Sequence, residues 1–203
     1  MFHQEDAGVV LWCVGYARDV ITITSSYATG DVSGRDGVGG LVGQLYTYGQ
    51  TSTITNSHAT GDVSGSSWVG GLVGAIGVSR EYNFHITNSY TTGDVSGGRS
   101  VGGLVGSAQH STITRSYAAG DVSGGGLVGG TRSTTITSSY AKGNSNDSLV
   151  SSGHSTIINS AIKTEIELKA GTPTDADDDD PIYVDWSYDI WDFGTSNTYP
   201  ILD

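Results

Sequence analysis

The chain has 203 residues, of which 31 are glycine and 3 are proline, and its glycines lack the three-residue period of collagen. Acidic side chains number 21 and basic side chains 9, and the resulting net charge of −12 disfavours nucleic acid and anionic membranes as partners. A single cysteine, Cys13, excludes an internal disulfide bond.

Residues 1–20 contain one apolar run, GVVLWCVG from Gly8 to Gly15, which is too short to insert across a membrane. The start of the chain also lacks the basic region and apolar leader of a signal peptide. We interpret residues 1–20 as a degraded, partial N-terminal coil of the repeat that follows. This predicts a chain that begins in the middle of a coil, as part of a longer exported protein.

Residues 21–169 repeat one unit. The stretch SYATGDVSG, from Ser26 to Gly34, returns three times with few changes, and the spacing between copies shortens along the chain. Such periods are typical of solenoids and propellers, and the shortest unit is too short for a four-stranded propeller blade. We predict an all-β fold, a β-solenoid (β-helix) of about six coils, with three short strands per full coil and almost no helix.

Equivalent positions of the units predict the direction of each side chain. Three columns should point inward: Ile23, Ile54, Ile86, Ile113, Ile136 and Ile157; Val32, Val63, Val95, Val122 and Ile166; and Leu41, Leu72, Leu104, Leu127 and Leu149. An invariant serine, represented by Ser57, should occupy a narrow inner corner. One column should point outward and stack as an aromatic ladder: Tyr27, His58, Tyr90, Tyr117 and Tyr140.

Threonines flank most of the inward isoleucines. They predict two parallel files on a flat outer face, interrupted by His85 and Ile158: Thr22, Thr24, Thr53, Thr55, Thr87, Thr112, Thr114, Thr135, Thr137 and Thr156. The pattern resembles the ice-binding face of Thr-x-Thr antifreeze solenoids. The alternative is that threonine simply suits an exposed strand, and Arg115 beside the files argues against a clean ice plane.

The glycine-rich segment VGGLVG recurs at Val38–Gly43, Val69–Gly74 and Val101–Gly106, each time after a copy of SYATGDVSG. This combination resembles the GLUG-motif repeat over most of residues 21–169. The resemblance implies a β-solenoid, a surface or secreted location, and a relationship to filamentous-haemagglutinin-like adhesins. It carries no catalytic residues to transfer.

Two acidic features are candidate cation sites. Asp31, Asp62, Asp94 and Asp121 share one position, where solvated corner carboxylates are the simpler interpretation. Asp175, Asp177 and Asp179 have the spacing of a calcium loop but lack the glycine and glutamate that an EF-hand needs next. We expect an acidic loop there that is at most a weak calcium site, and no other metal or cofactor.

Residues 170–203 continue from this acidic loop into an aromatic segment, which should form a C-terminal aromatic cap over the open end of the core. The aromatic residues in question are Trp186, Trp191, Phe193 and Tyr199. The same segment could instead form a sugar subsite, with Asp185, Asp189 and Asp192 near the two tryptophans.

Three functions remain open from the sequence. The first is a non-enzymatic extracellular or cell-surface module, adhesin-like or a structural scaffold, whose partner is a glycan, a surface or itself through its N-terminal end. The second is an ice-binding protein that uses the threonine files. The third is a carbohydrate-active enzyme.

Overall fold

The computed structural model describes residues 14–18, 20–47, 51–78, 83–143, 147–170, 183, 186–192 and 198–202. Strands dominate these ranges, and the repeated strands pair in parallel with their counterparts in the next coil. Because each coil places equivalent residues side by side, the chain builds long ladders from very short strands. This confirms the predicted β-solenoid.

The 24 described strands form five sheets. From the start of the chain to the end of the second repeat they are β1 (Val14–Arg18), β2 (Thr22–Thr24), β3 (Tyr27–Ala28), β4 (Val32–Ser33), β5 (Asp36–Gly39), β6 (Val42–Thr47), β7 (Ser52–Thr55), β8 (His58–Ala59), β9 (Val63–Ser64), β10 (Ser67–Gly70) and β11 (Val73–Val78). The later ones are β12 (Phe84–Thr87), β13 (Tyr90–Thr91), β14 (Val95–Ser96), β15 (Arg99–Gly102), β16 (Val105–Gln109), β17 (Ser111–Thr114), β18 (Tyr117–Ala118), β19 (Val128–Thr137), β20 (Tyr140–Lys142), β21 (Val150–Ile158), β22 (Ala161–Lys163), β23 (Trp191–Asp192) and β24 (Ile201–Leu202).

A full coil has five strands, as in β7 to β11, whereas three were predicted. The first predicted segment is divided because Asn56 adopts a left-handed conformation (φ 50°), which turns the chain between β7 and β8. The third is divided by a bend at Gly71 and Leu72, between β10 and β11. The first and third predicted segments therefore each contain a corner that the repeat pattern alone does not reveal.

The main core lies between the walls and contains the predicted isoleucine and leucine columns. Ile54, Ile86, Ile113 and Ile136 are fully buried there, together with all five predicted leucines. The valine column faces a second, smaller cluster, in which Val63 and Val95 pack against Val69 and its equivalents. The cross-section thus has two apolar centres rather than one.

The last coil departs from the predicted columns. Ile157 pairs in register with Ile136, but 47% of it is exposed, because no further coil in the described part of the chain covers β21. Ile166, which was predicted to extend the valine column, lies in the helix α1 (Glu165–Ala170) instead. Thr164 and Glu167 close the start of this helix with reciprocal hydrogen bonds, a capping box.

Candidate functional site

The threonine face is the outer surface of β2, β7, β12, β17 and the C-terminal halves of β19 and β21. Its first column contains Thr22, Thr53, His85, Thr112, Thr135 and Thr156, and its second contains Thr24, Thr55, Thr87, Thr114, Thr137 and Ile158. The threonines are half-buried or exposed on this face, whereas the isoleucines between them point inward. Neighbouring side chains repeat about every 4.8 Å between coils and about every 6.6 Å along a strand.

A row of left-handed residues forms the corner beside the threonine face. It consists of Ser25, Asn56, Asn88, Arg115, Ser138 and Asn159, with φ between 45° and 50°. Asn88 donates from Nδ2 to Asn56 Oδ1 at 3.1 Å, and Arg115 donates from Nε to Asn88 Oδ1 at 2.9 Å. Arg115 is therefore bound along the corner, in a hydrogen-bonded row that borders the face.

The invariant serines stabilise this corner through hydrogen bonds that the sequence pattern did not reveal. Ser57 Oγ donates to the carbonyl of Thr55 at 2.9 Å and accepts the backbone N–H of Ser26 from the preceding coil. The same pair of bonds recurs at Ser89, Ser116 and Ser139. A short side chain fits the corner, as predicted, but it is the hydroxyl that links the coils.

The aspartate column also links coils. Asp31 Oδ1 accepts the backbone N–H of Asp62 at 2.9 Å, and the same bond joins Asp62 to Asp94 and Asp94 to Asp121. The column ends in an ion pair, 2.8 Å long, between Asp121 and Lys142. These carboxylates are exposed at a corner, as the simpler interpretation held, and the first three also satisfy a backbone donor of the next coil.

The aromatic ladder lies on another wall, formed by β3, β8, β13, β18 and β20. Ring centroids are 5.3 Å apart between Tyr27 and His58, 4.7 Å between His58 and Tyr90, and 5.1 Å between Tyr90 and Tyr117, with the rings nearly parallel. The rings point away from the main core and stack, as predicted. The ladder is not wholly on the surface, however, because Tyr90, Tyr117 and Tyr140 are buried.

The C-terminal residues cover that part of the ladder. Trp191 packs against Tyr90 and Tyr117, and Trp186 packs against Tyr117 and donates from Nε1 to the carbonyl of Ser138 at 2.8 Å. The predicted cap over the end of the core is therefore wrong for these two tryptophans, which lie along the side of the solenoid. Both are buried, so they do not present the sugar-stacking faces that a subsite needs.

His58 provides a test of the ladder at acidic pH. Burial between Tyr27 and Tyr90 lowers the pKa of its imidazole below the ordinary value of 6.5, because the charged form is poorly solvated there. Its contribution to stability is therefore present above pH 6.5 and is lost as the pH falls through the lowered pKa.

We expect His58→Tyr, which inserts the residue of the neighbouring coils, to lose less thermal stability than the natural chain between about pH 7.5 and about pH 5. Melting curves at both pH values measure the difference. His110→Tyr, outside the ladder, is the control. An equal loss in the His58→Tyr variant and the natural chain would contradict this role of the histidine.

The remaining candidates from the sequence are the other acidic residues and Phe193. Asp175, Asp177, Asp179, Asp185 and Phe193 lie outside the described residues. Asp189 and Asp192 are exposed. Within the described ranges, no three histidine, cysteine, aspartate or glutamate side chains form a group that could hold a metal ion.

The family model of the GLUG motif matches residues 34–64 and 97–123. The chain therefore contains the GLUG motif in two places, which confirms the resemblance based on VGGLVG. The fold is similar to a crystal structure of a Bacteroides ovatus protein provisionally named an immunoglobulin A1 protease. The TM-score is 0.57, with 22% identity, over 91% of this chain and 74% of that chain. This likeness concerns the fold alone.

No curated protein matches the sequence. No helix in the part of the chain that the structure describes is long and apolar enough to span a membrane.

Proposed function

We propose that this protein is a non-enzymatic extracellular or cell-surface module, adhesin-like or a structural scaffold, that binds a partner surface through the threonine face. One observation carries the proposal: threonine hydroxyls occupy all but two of the outward positions in the two columns from β2 to β21, so the face offers an extended, repetitive array of polar contacts. Its partner is a glycan, another surface or a second copy of the chain.

The hydrogen-bonded columns support this function because they keep the face rigid before it binds. The serine column fixes the backbone directly after each Thr-x-Thr segment, and the corner asparagines are bound to one another. A preorganised face loses little conformational entropy on association, so many weak contacts can add up. The serines and aspartates of these columns are occupied with backbone groups, which suits a scaffold better than a reactive centre.

The GLUG motif supports an exported location, since proteins with this repeat are typically surface proteins. We also propose that the chain is part of a longer exported protein. We further propose that its N-terminal coil associates end to end with another coil. The N-terminal end includes residues 1–13, which lie outside the described residues.

The threonine face can be tested with Thr55→Lys combined with Thr114→Lys. Two long cations should disrupt a flat hydroxyl array, and we expect retention on glycan-coated and cell-derived surfaces to fall about tenfold or more. The matched control is Ser64→Lys with Ser96→Lys, which adds the same charge on the exposed side of β9 and β14. Surface plasmon resonance measures retention, and circular dichroism verifies the fold.

Equal retention of the threonine variant and the natural chain would contradict the proposed face. Equal loss in both lysine pairs would show that charge, rather than the position of the substitution, governs binding.

Ice binding is the second candidate, and the register of the two threonine columns favours it. Regular hydroxyl spacing of about 4.8 Å by about 6.6 Å is the kind of array that a crystalline surface could match. His85 and Ile158 interrupt the columns, and among the threonines of the face only Thr22, Thr24 and Thr156 are exposed rather than half-buried. Ice shaping by the natural chain, lost in the same Thr55→Lys and Thr114→Lys variant, would favour this candidate over an adhesin-like module.

A further inference from the structure

Trp68 occupies an unusual place in the wall formed by β5, β10 and β15. Its equivalents in the neighbouring coils are Gly37 and Ser100, and all three have left-handed backbones, with φ of 64°, 54° and 50° for residues 37, 68 and 100. Tryptophan rarely adopts this conformation, because its Cβ then crowds the backbone. The residue is nonetheless 39% exposed, so part of its large apolar side chain remains accessible to solvent.

The fold imposes this conformation on residue 68. A Cβ on Gly106 would lie 2.5 Å from the carbonyl carbon of Trp68, and a Cβ on Gly74 would lie at the same distance from that of Gly37. The left-handed residue of each coil therefore lies in close contact with the last glycine of VGGLVG in the next coil. Because the left-handed conformation recurs whether the residue is glycine, serine or tryptophan, the tryptophan side chain does not cause it. Trp68 adds strain and an exposed apolar ring to a position that glycine or serine occupies in the adjacent coils.

Such a costly residue at an exposed position points to a role outside folding. Trp68 makes no ring contact and no side-chain hydrogen bond with another residue in the described ranges. The ring is therefore available to a ligand, and its neighbours indicate what that ligand carries.

Two arginines flank Trp68. Arg99 pairs with Ser67 in the next coil, and the Arg35 carbonyl accepts the N–H groups of Ser66 and Ser67 from the preceding coil. Arg99 is exposed, and the Arg35 side chain is 90% exposed, with one weak ion pair of 3.7 Å to Asp36. In a chain with only 9 basic side chains and a net charge of −12, this wall brings two guanidinium groups close to Trp68, together with the one carboxylate of Asp36.

We propose that Trp68, Arg35 and Arg99 form a binding site for a carboxylated sugar of a surface glycan. The apolar face of the sugar ring stacks on the indole, and the guanidinium groups bind the carboxylate through charge-assisted hydrogen bonds. This inference rests on the proposed binding function and names its ligand class. It places the contact on a different wall from the threonine face.

The first test is Trp68→Gly, which inserts the residue found at position 37. We expect this variant to lose affinity for acidic oligosaccharides about tenfold or more, while its melting temperature stays equal or rises because the backbone strain is relieved. Binding is measured by calorimetry on a panel of galacturonate, glucuronate and sialylated oligosaccharides. A change that removes binding without lowering stability cannot be attributed to unfolding.

The second test separates the arginines from the ring. Arg35→Gln with Arg99→Gln should reduce binding of a galacturonate oligosaccharide about tenfold and leave its fully methyl-esterified form unchanged. Arg132→Gln, an exposed arginine on β19, is the matched control and should leave both affinities unchanged. Polyglutamate, which carries carboxylates but no sugar ring, is the control for non-specific attraction between an acidic ligand and the arginines.

No binding to any member of the panel would overturn the proposal, and so would undiminished binding by Trp68→Gly. Equal affinity for the acidic and the esterified oligosaccharide would overturn the role of the arginines. If these variants bind normally while the Thr55→Lys and Thr114→Lys variant loses surface retention, the proposed function stands and this site does not.

Discussion

Ile113→Asp is expected to unfold the centre of the solenoid. Ile113 is fully buried in the main core, paired with Ile86 on one side and Ile136 on the other. An aspartate there has no cation or hydrogen-bond donor to compensate for burial of its charge, so we expect the free energy of unfolding to fall by about 4 kcal/mol or more. Chemical denaturation followed by circular dichroism measures the loss.

The loss should spread because a coil of a solenoid contacts only its neighbours. Disruption at Ile113 separates the coils before it from the coils after it, and neither group retains a covered core at the break. We therefore expect loss of structure on both sides of the substitution, which hydrogen exchange of the β7 and β21 amides would detect.

Thr114→Asp is the matched control, because it places the same charge one residue further along the strand. Thr114 points outward and is half-buried, so the carboxylate can reach water and we expect a change within about 0.5 kcal/mol. Equal destabilisation by the two substitutions would contradict the inward and outward assignment of this wall.

The repeats are the reason that so much of this wall could be predicted. Equivalent residues in successive units, such as Ile54, Ile86 and Ile113, must experience the same surroundings, so internal comparison reveals which positions point inward. The same logic predicted the two threonine columns and the stacking of Tyr27 on His58. Internal comparison assumes a neighbouring coil on each side. It was therefore wrong about the burial of Ile157, because no further coil in the described part of the chain covers that residue.

Other features could not be read from the repeats. The corner at Asn56 depends on a backbone angle, and residues as different as serine, asparagine and arginine occupy its equivalents. The hydroxyl of Ser57 and the carboxylate of Asp62 bond to backbone groups of adjacent coils, and an invariant residue type alone does not distinguish such a bond from simple steric fit. Hydrogen-bond partners follow from the stacking of coils, which has to be known first.

The C-terminal segment was the least predictable part because it occurs once. Its aromatic composition indicated that it must be covered, but two surfaces were available, the open end of the core and the side of the ladder. Contacts such as the bond between Trp186 and Ser138 join residues far apart in the chain, with no second copy for comparison. The buried position of Tyr117 follows from that docking and not from its own repeat.

Trp191→Ala is expected to release the C-terminal segment from the aromatic ladder. Trp191 is fully buried, with its ring 4.4 Å from that of Trp186 and 6.0 Å from that of Tyr117 between centroids. Removing so large a ring leaves a cavity that the rigid stack of tyrosines cannot close, so we expect a loss of about 3–5 kcal/mol in unfolding free energy. Denaturant titration followed by tryptophan fluorescence measures it.

Tyr117 gives the same variant a second readout. Its burial, together with the nearby Tyr183, Tyr90 and Tyr199, raises the pKa of its hydroxyl well above 10, and that hydroxyl donates to the carbonyl of Pro200. The stabilisation linked to this shift is present below pH 10 and is lost as the pH rises toward the raised pKa. Once the segment is released, the pKa of Tyr117 should fall toward its ordinary value, which absorbance of the tyrosinate form detects.

Trp191→Phe separates loss of the ring from loss of its polar group. Among the described residues, the buried indole Nε1 of Trp191 has no hydrogen-bond partner, so phenylalanine keeps much of the apolar contact and removes an unsatisfied donor. We expect it to cost less than half of the alanine substitution and to leave the pKa of Tyr117 raised. If Trp191→Ala were tolerated within about 1 kcal/mol, with the Tyr117 hydroxyl still titrating far above its ordinary range, the segment would not depend on this tryptophan for docking. The burial of the ladder would then have to come from the contacts of Trp186, Tyr183 and Tyr199 with it.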